Sequence, residues 1–431
     1  MLKIKRIEIH GIWGQRNIET NFNSDVNIFI GINGTGKTTF LNIIEAILTI
    51  DLALLAQVDF TSVTLLLHGK KNKKITVNRF LGEYPYNMFE YKISNKKYDV
   101  PQLPEDAKYN MHRINPRFRA QISELREELN NIVKICWLSV HRDVQTPEES
   151  DFSIRRERNP VNTVDLRLKD LMKRLAIYQL QLEAESSALS SQFRNEMYEL
   201  MLYNEGFDEL DLKQPITIDA ESIKRQLIKA YRDLGLSKKD TIDRINIHTQ
   251  KLKDALERVE KAKTEKGQLT VNDIPPISLL NRTLKLIEIS TEIEKKRNKI
   301  FGPLNTYISI LKEFIKDKSF KLDTHESGEL LVFNRKEQSD SFPISYLSSG
   351  EKQLIILLTE ALLQKNSNYI FIADEPELSL HISWQRKIIE AIRQLNQNAQ
   401  IILATHSPEI AGKWSDKIIN MENIIKIIDN A

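Results

Sequence analysis

Apolar and polar positions alternate with period two over residues 2 to 9 and 17 to 30, the pattern of half-buried strands, and the second run closes on the continuous apolar string VNIFI. A glycine-rich turn follows, then apolar residues at helical spacing from Thr38 to about Leu48, so this end of the chain predicts strand, loop, helix. Between Val58 and Val100, short alternating runs (SVTLLLHG, KKITVNRF, NMFEYKIS) broken by Gly, Asn and Lys predict an antiparallel sheet. A charged helix, RFRAQISELREELNN, leads to the apolar run Ile132 to Val140, expected as a buried strand.

From about Pro160 to Asp317 the period changes to that of long helices. Leu168, Leu171, Leu175, Tyr178, Leu182 and Leu189 recur at three- and four-residue steps, a stripe that calls for a partner helix. A helix from Val164 to Asn204 would run roughly 60 Å at 1.5 Å per residue. Further stripes at Leu252, Leu256 and Val259 and at Leu280, Leu284 and Ile287, separated by KTEKGQ and NDIPP, predict an inserted helical hairpin or arm. The plainer alternative is an ordinary helical subdomain, because the heptads lapse at Glu185 and Ala188. Strand signals return from Phe320 (FKLDTH, ELLVFN). A helix from Ser349 to Lys365, the strand YIFIAD, a helix from Ser383 to Gln397 and the strand IILAT follow, and this alternation predicts a parallel, doubly wound sheet. Three regions result: 1–150 and 320–431 as two lobes of one α/β head, and 151–319 as the insert.

No stretch is apolar enough to cross a membrane, and the start alternates like a strand instead of carrying an apolar signal block, so a cytoplasmic protein without a membrane partner is expected. One cysteine, Cys136, leaves no internal disulfide and no multi-thiolate metal site within the chain. Sixty-two basic against fifty-nine acidic residues leave a net charge of +3, which does not decide for or against DNA.

The chemistry lies at the two ends. Gly31 to Thr38, GINGTGKT, matches GxxxxGK[ST] between a strand and a helix. Its glycines let the backbone N–H groups of Asn33, Gly34, Thr35 and Gly36 turn inward around a polyphosphate. The helix N-terminus through Thr39 adds its dipole, Lys37 supplies a charge, and the Thr38 hydroxyl can ligate Mg²⁺, which makes ATP and Mg²⁺ the expected ligands. The apolar strand YIFIA ends in Asp374-Glu375, two carboxylates at the edge where α/β sheets bind ligands. Asp374 is assigned to the metal and Glu375 to orienting or deprotonating the attacking water.

Leu347-Ser348-Ser349-Gly350-Glu351-Lys352-Gln353 opens a helix, with Ser348 placed to cap it and Glu351 in its first turn. It stands where ABC-type ATPases carry their LSGGQ or LSGGE signature, and here the chain resembles that superfamily, specifically its SMC-like and OLD-like branch without transmembrane domains. The resemblance implies an ATPase head hydrolysing ATP to ADP and phosphate, with a parallel core sheet, an antiparallel β subdomain and an inserted helical hairpin or coiled-coil region. It also implies a head-to-tail homodimer, with higher homo-oligomers open, in which Ser348, with Gly350 and Glu351, meets the γ-phosphate held by the other copy. Ser349 departs from the glycine common in the family and narrows the backbone's approach there. His406, in ATHSPEI, occupies the place of the family's switch histidine, able to donate a hydrogen bond to the terminal phosphate. DEPELSLHISWQ resembles the DEPExxLH segment of OLD-like and RecF-like ATPases, which implies a dimer-interface role for Glu377 and His381. The family's Q-loop glutamine, which senses Mg²⁺, is assigned by that resemblance to Gln145 in VHRDVQ, with no spacing that fixes it.

OLD-family proteins continue into a TOPRIM nuclease domain, whereas here little chain follows His406, so nuclease activity is expected of a separate partner. Within the branch, the chain looks most like the ATPases of two-gene anti-phage defence systems, the AriA type of PARIS, with the PtuA type of Septu as the near alternative. That resemblance implies an ATPase that holds a TOPRIM-type or HNH nuclease effector until a phage-encoded trigger arrives. A second expectation, of another class, is an SMC- or RecF-like DNA-repair ATPase that clamps or bridges DNA; a third is a scaffold locked by ATP with hardly any turnover.

Overall fold

A computed structural model describes residues 1–81, 87–102, 115–139, 163–203, 219–233, 236, 238–264, 274–323, 330–334, 341–378 and 380–427. Gln145 lies outside them. Two compact units result, a head of Met1–Tyr178 with Pro303–Ala431 and a helical unit of Gln179–Gly302.

The head holds strands β1 (Lys3–Ile12), β2 (Arg16–Asn21), β3 (Val26–Ile30), β4 (Ser62–His68), β5 (Lys73–Leu81), β6 (Asn87–Ile93), β7 (Lys96–Pro101), β8 (Ile135–Ser139), β9 (Lys318–Leu322), β10 (Leu330–Asn334), β11 (Ser341–Phe342), β12 (Ile370–Asp374), β13 (Gln400–Ala404), β14 (Ile418–Asn420) and β15 (Ile425–Ile427). Five make the parallel core in the order β14-β3-β13-β12-β8. The middle strands β12 and β13 are buried at every position, which is why their sequences read as unbroken apolar runs instead of alternating. Seven antiparallel strands, β15-β2-β1-β4-β5-β6-β7, form the flanking sheet.

The run 17 to 30, expected as one strand, is two strands in two different sheets. The side chain of Asn27 accepts from the Asn23 N–H (2.7 Å) and donates to the Asn23 carbonyl (3.0 Å), closing a turn that ends β2 and starts β3. FKLDTH and ELLVFN do not extend the parallel alternation. Their strands β9 and β10 pair antiparallel and, with β11, form a separate three-stranded sheet. The helix expected over Ser383 to Gln397 breaks at Arg386 and Lys387 into Ile382–Gln385 and Ile388–Leu395.

Helix α1 (Lys37–Thr49) carries its apolar face, Phe40, Leu41, Ile43, Ile44 and Ile47, into the main core, where Phe40 meets Phe29 at 4.9 Å between ring centroids. Each such side chain contributes about 1.5–3 kcal/mol by leaving water, which fixes the helix directly behind the strand that launches it. The side chain of Gln400 ties the two large sheets, accepting from the Ile4 N–H (2.8 Å) and donating to the Ile4 carbonyl (2.7 Å).

In the helical unit, α2 (Ala220–Asp233) and α3 (Lys239–Thr264) pack together. Their Ile223, Leu227 and Ile245 cluster with Ile287 of α4 (Leu280–Phe314), and a second cluster joins Ala255, Val259 and Ile277. The unit boundaries fall inside long helices, α4 and the 37-residue helix Thr163–Glu199, so the change of period in the sequence and the change of packing partner come at different residues. Leu168, Leu171, Leu175 and Tyr178 of that helix are buried on the head side of the boundary.

Candidate active site at the core strand ends

Parallel pairing puts the C-terminal ends of β3, β13 and β12 side by side, and each end carries one of the motifs. β3 runs into the glycine-rich loop, β12 ends in Asp374 followed by Glu375, and β13 is followed by Thr405 and His406. Backbone hydrogen bonds lock the exits together: Glu375 N–H donates to the Ala404 carbonyl (2.8 Å), and Thr405 N–H to the Phe29 carbonyl (3.1 Å).

The loop is wound on itself as the motif requires. Gly34 and Gly36 have φ of +86° and +89°, a region side chains resist, and Gly36 precedes α1 directly. Thr35 donates twice to the Ile32 carbonyl, from its N–H (3.2 Å) and from Oγ1 (2.9 Å). Lys37, only 6% exposed, folds its ammonium back onto the Gly31 (2.9 Å) and Ile32 (3.3 Å) carbonyls. Burial lowers its pKa, while Glu375, Asp374 and Glu377 pull the other way. Asn33 and Gly34 are exposed at the loop tip, and Thr38 and Thr39 occupy the first turn of α1.

Asp374 is 8% exposed. Burial, with the charges of Glu375 and Glu377, holds its carboxyl above the ordinary aspartate range, although a hydrogen bond from Thr38 and the charge of Lys37 oppose this. Its Oδ1 is buried with no partner. Three carboxylates against one ammonium leave the cluster net negative, so a polyphosphate fits there only with a cation. The lone buried oxygen beside the Thr38 hydroxyl is suited to one, since hard divalent cations take oxygen ligands. Glu375 adopts φ +47°, an uncommon conformation for a residue with a side chain. Its Oε1 lies 3.7 Å from His406 Nε2.

Ser348, Gly350 and Glu351 form a second group at the N-terminus of α5 (Ser349–Leu363). Ser348 and Glu351 make a reciprocal capping box: the Ser348 N–H donates to Glu351 Oε2 (2.8 Å) and the Glu351 N–H donates back to Ser348 Oγ (3.4 Å). Lys318 Nζ donates to Glu351 Oε1 (2.5 Å) and to Asp317 Oδ2 (3.0 Å), so one ammonium is shared between two carboxylates beside the start of the helix.

Trp13 joins the site without a motif to announce it, and Glu377, named by its motif for another role, joins it too. Trp13, in the β1–β2 turn with φ +51°, packs its ring against the phosphate loop, and a Cβ on Gly36 would come within 2.1 Å of that ring. The Arg16 guanidinium lies over the ring, 5.6 Å from its centroid. The available signal was an exposed tryptophan between two glycines. Glu377, which the family resemblance places at a dimer interface, accepts within its own chain from Thr405 Oγ1 (2.6 Å), the His406 N–H (2.8 Å) and the Ser407 N–H (3.3 Å). His381 caps the short helix Ile382–Gln385 by accepting from the Ser383 N–H (3.2 Å).

A family model described as AAA ATPase domain matches residues 2–411. The chain belongs to the AAA ATPase domain family. This AAA ATPase is 23% identical over 428 residues to the Retron Ec83 probable ATPase of Escherichia coli, an alignment that takes in 95% of this chain and 69% of that protein. It is 41% identical over 80 residues to the phosphonates import ATP-binding protein PhnC of Fusobacterium nucleatum, covering 18% of this chain and 31% of the transporter subunit. Among solved structures, the Smc head domain of Pyrococcus furiosus with an extended coiled coil, bound to the C-terminal domain of ScpA, aligns with 99% of this chain and 96% of its own at 15% identity and a TM-score of 0.44. Among the described residues no helix is long and apolar enough to cross a membrane.

Proposed function

We propose that this AAA ATPase hydrolyses ATP at the ends of its core strands and uses the cycle to hold and release a separate effector protein in a two-component anti-phage defence system. The observation that carries the hydrolytic part is the meeting of Asp374 and Glu375, His406 and the loop that leads to Lys37 at three adjacent parallel strand ends. On binding ATP, Lys37 exchanges two loop carbonyls for phosphate oxygens, and the N–H groups of residues 33 to 39 close around the chain of phosphates. Thr38 and Asp374 would hold Mg²⁺, which when bound balances the phosphate charge. Glu375 orients the attacking water and takes its proton, and His406 donates to the terminal phosphate as charge develops on it. Ser348, with Gly350 at the start of α5, serves the nucleotide of a second copy, so that ATP joins two heads.

The effector part is supported by the resemblance to two-gene defence ATPases and by the likeness to the retron ATPase over 95% of the chain. To test both parts, the wild-type protein and Glu375→Gln are each purified with the tagged product of the adjacent gene and challenged with phage in cells. Mg²⁺-dependent turnover by the wild type alone, effector retained by both in ATP, and protection by the wild type alone are expected. DNA-stimulated turnover with no co-purifying effector would replace the holder with a DNA clamp, and full protection by Glu375→Gln would leave only an ATP-locked scaffold.

A further inference from the structure

Glu377 has a geometry that the hydrolytic roles do not use. It follows Glu375 by two residues, in a turn closed by the Leu378 N–H donating to the Glu375 carbonyl (3.1 Å). From there one carboxylate oxygen, Oε1, reaches across to the end of β13 and gathers three donors, Thr405 Oγ1, the His406 N–H and the Ser407 N–H. The turn it holds is further closed by the Ser407 N–H donating to Thr405 Oγ1 (2.9 Å). Gln385 clamps it from outside, accepting from Ser407 Oγ (2.7 Å) and donating to the Leu380 carbonyl (2.9 Å). One side chain therefore ties the segment carrying Glu375 to the backbone of His406. The pair it joins is set 3.7 Å apart and includes a residue at φ +47°, a conformation that persists only where its surroundings fix it.

We infer that Glu377 is a positioning residue: it fixes the Thr405–Ser407 turn so that His406 and Glu375 keep one shared geometry about the terminal phosphate. This rests on the hydrolytic roles proposed for those two residues. The role is that of a hydrogen-bond acceptor, so a neutral amide oxygen can fill it. Displacing a catalytic group by about 1 Å costs on the order of 10²-fold in rate while leaving ground-state binding intact.

Turnover and ATP affinity are measured for Glu377→Ala, Glu377→Gln and His406→Ala, and for Glu377→Ala combined with His406→Ala. Glu377→Ala should lose roughly 10- to 100-fold in kcat with KM for ATP within about twofold, and Glu377→Gln should stay within about threefold of wild type. In the His406→Ala background, Glu377→Ala should add less than about twofold, because it acts through that histidine. Wild-type kcat in Glu377→Ala, losses that multiply in the double variant, or Glu377→Gln as impaired as Glu377→Ala would each overturn the inference. Should Glu377→Ala fail to fold, Thr405→Val removes one of the three donors; a severalfold loss confined to the His406 background supports the inference, and equal loss in both backgrounds sinks it. Undiminished turnover in His406→Ala would instead remove the histidine's proposed role, and the inference with it. A deficient His406→Ala beside an unaffected Glu377→Ala sinks the inference alone.

Discussion

The strand ends of the core sheet and the helical unit Gln179–Gly302 treat their charged groups differently. In the helical unit, although Asn246 Oδ1 is buried without a partner, charged side chains are matched locally and near water: Gln250 donates to Asp254 (2.8 Å) one turn on, and the pairs Lys285–Glu288 (2.9 Å) and Lys296–Glu292 (2.8 Å) stand on exposed faces, where such contacts contribute only a few tenths of a kcal/mol. Its stability must come from small apolar clusters such as Ile223, Leu227, Ile245 and Ile287. At the strand ends, by contrast, Lys37 and Asp374 are buried, Asp374 Oδ1 and Glu377 Oε2 lack partners, and Trp13 and Glu375 hold left-handed backbones. Two unmatched buried carboxylate oxygens flanking a left-handed glutamate, at the edge of a sheet otherwise filled with Ile, Leu and Phe, are what a ligand-binding site looks like before its ligand arrives.

The comparison breaks most sharply at Glu375. Its replacement by Gln should lower turnover by roughly 10²- to 10⁴-fold and trap ATP-joined heads, visible as a larger species in light scattering; a monomer in ATP would contradict the shared site. Leu227→Ala, in the helical unit, should cost about 2–5 kcal/mol there, read as faster amide exchange in α2 and α3, with ATP turnover in isolation unchanged. Loss of turnover in that variant would make the helical unit part of the hydrolytic cycle. Smaller still is Gly36→Ala, whose Cβ meets the Trp13 ring at a backbone angle that suits glycine. About 1–3 kcal/mol of strain should weaken ATP binding by roughly 5- to 150-fold, and Trp13→Ala in the same chain should recover only the steric share.

What could be read from the sequence follows the same division. β3, α1, β12 and β13 were legible because a fully buried parallel strand is an apolar run, and its chemistry is simply the next residue. The split of 17–30 was not, because it depends on the Asn27 side chain grasping the backbone of Asn23, an interaction no periodicity encodes. FKLDTH and ELLVFN were recognised as strands but given to the wrong sheet, since pairing direction is a tertiary property. Trp13 was missed as part of the site, and Glu377 was singled out only for a dimer interface, for a related reason. Each reaches it through packing or through one oxygen meeting backbone groups almost thirty residues away.

Asp374 sets the unmatched polarity of the site against the stability of the fold, with the smallest expected effect. Its folded-state pKa is raised, chiefly by burial, so between the unfolded and folded values the native protein holds the proton more tightly than the unfolded chain does. Stability therefore falls as pH rises through that window and stays at the lower level above it, neutral pH included. Asp374→Asn removes the buried charge and should raise the melting midpoint of the nucleotide-free protein at neutral pH by a few degrees, with the gain vanishing below the unfolded aspartate range. Addition of Mg²⁺ and ATP should reverse the order. Wild type gains stability from the ligand, and the variant, deprived of the carboxylate charge that would balance the cation, gains far less. Melting curves at neutral and acidic pH, with and without Mg-ATP, decide it. A variant less stable than wild type without nucleotide would show that the Thr38 bond, not the unmatched charge, dominates at this residue.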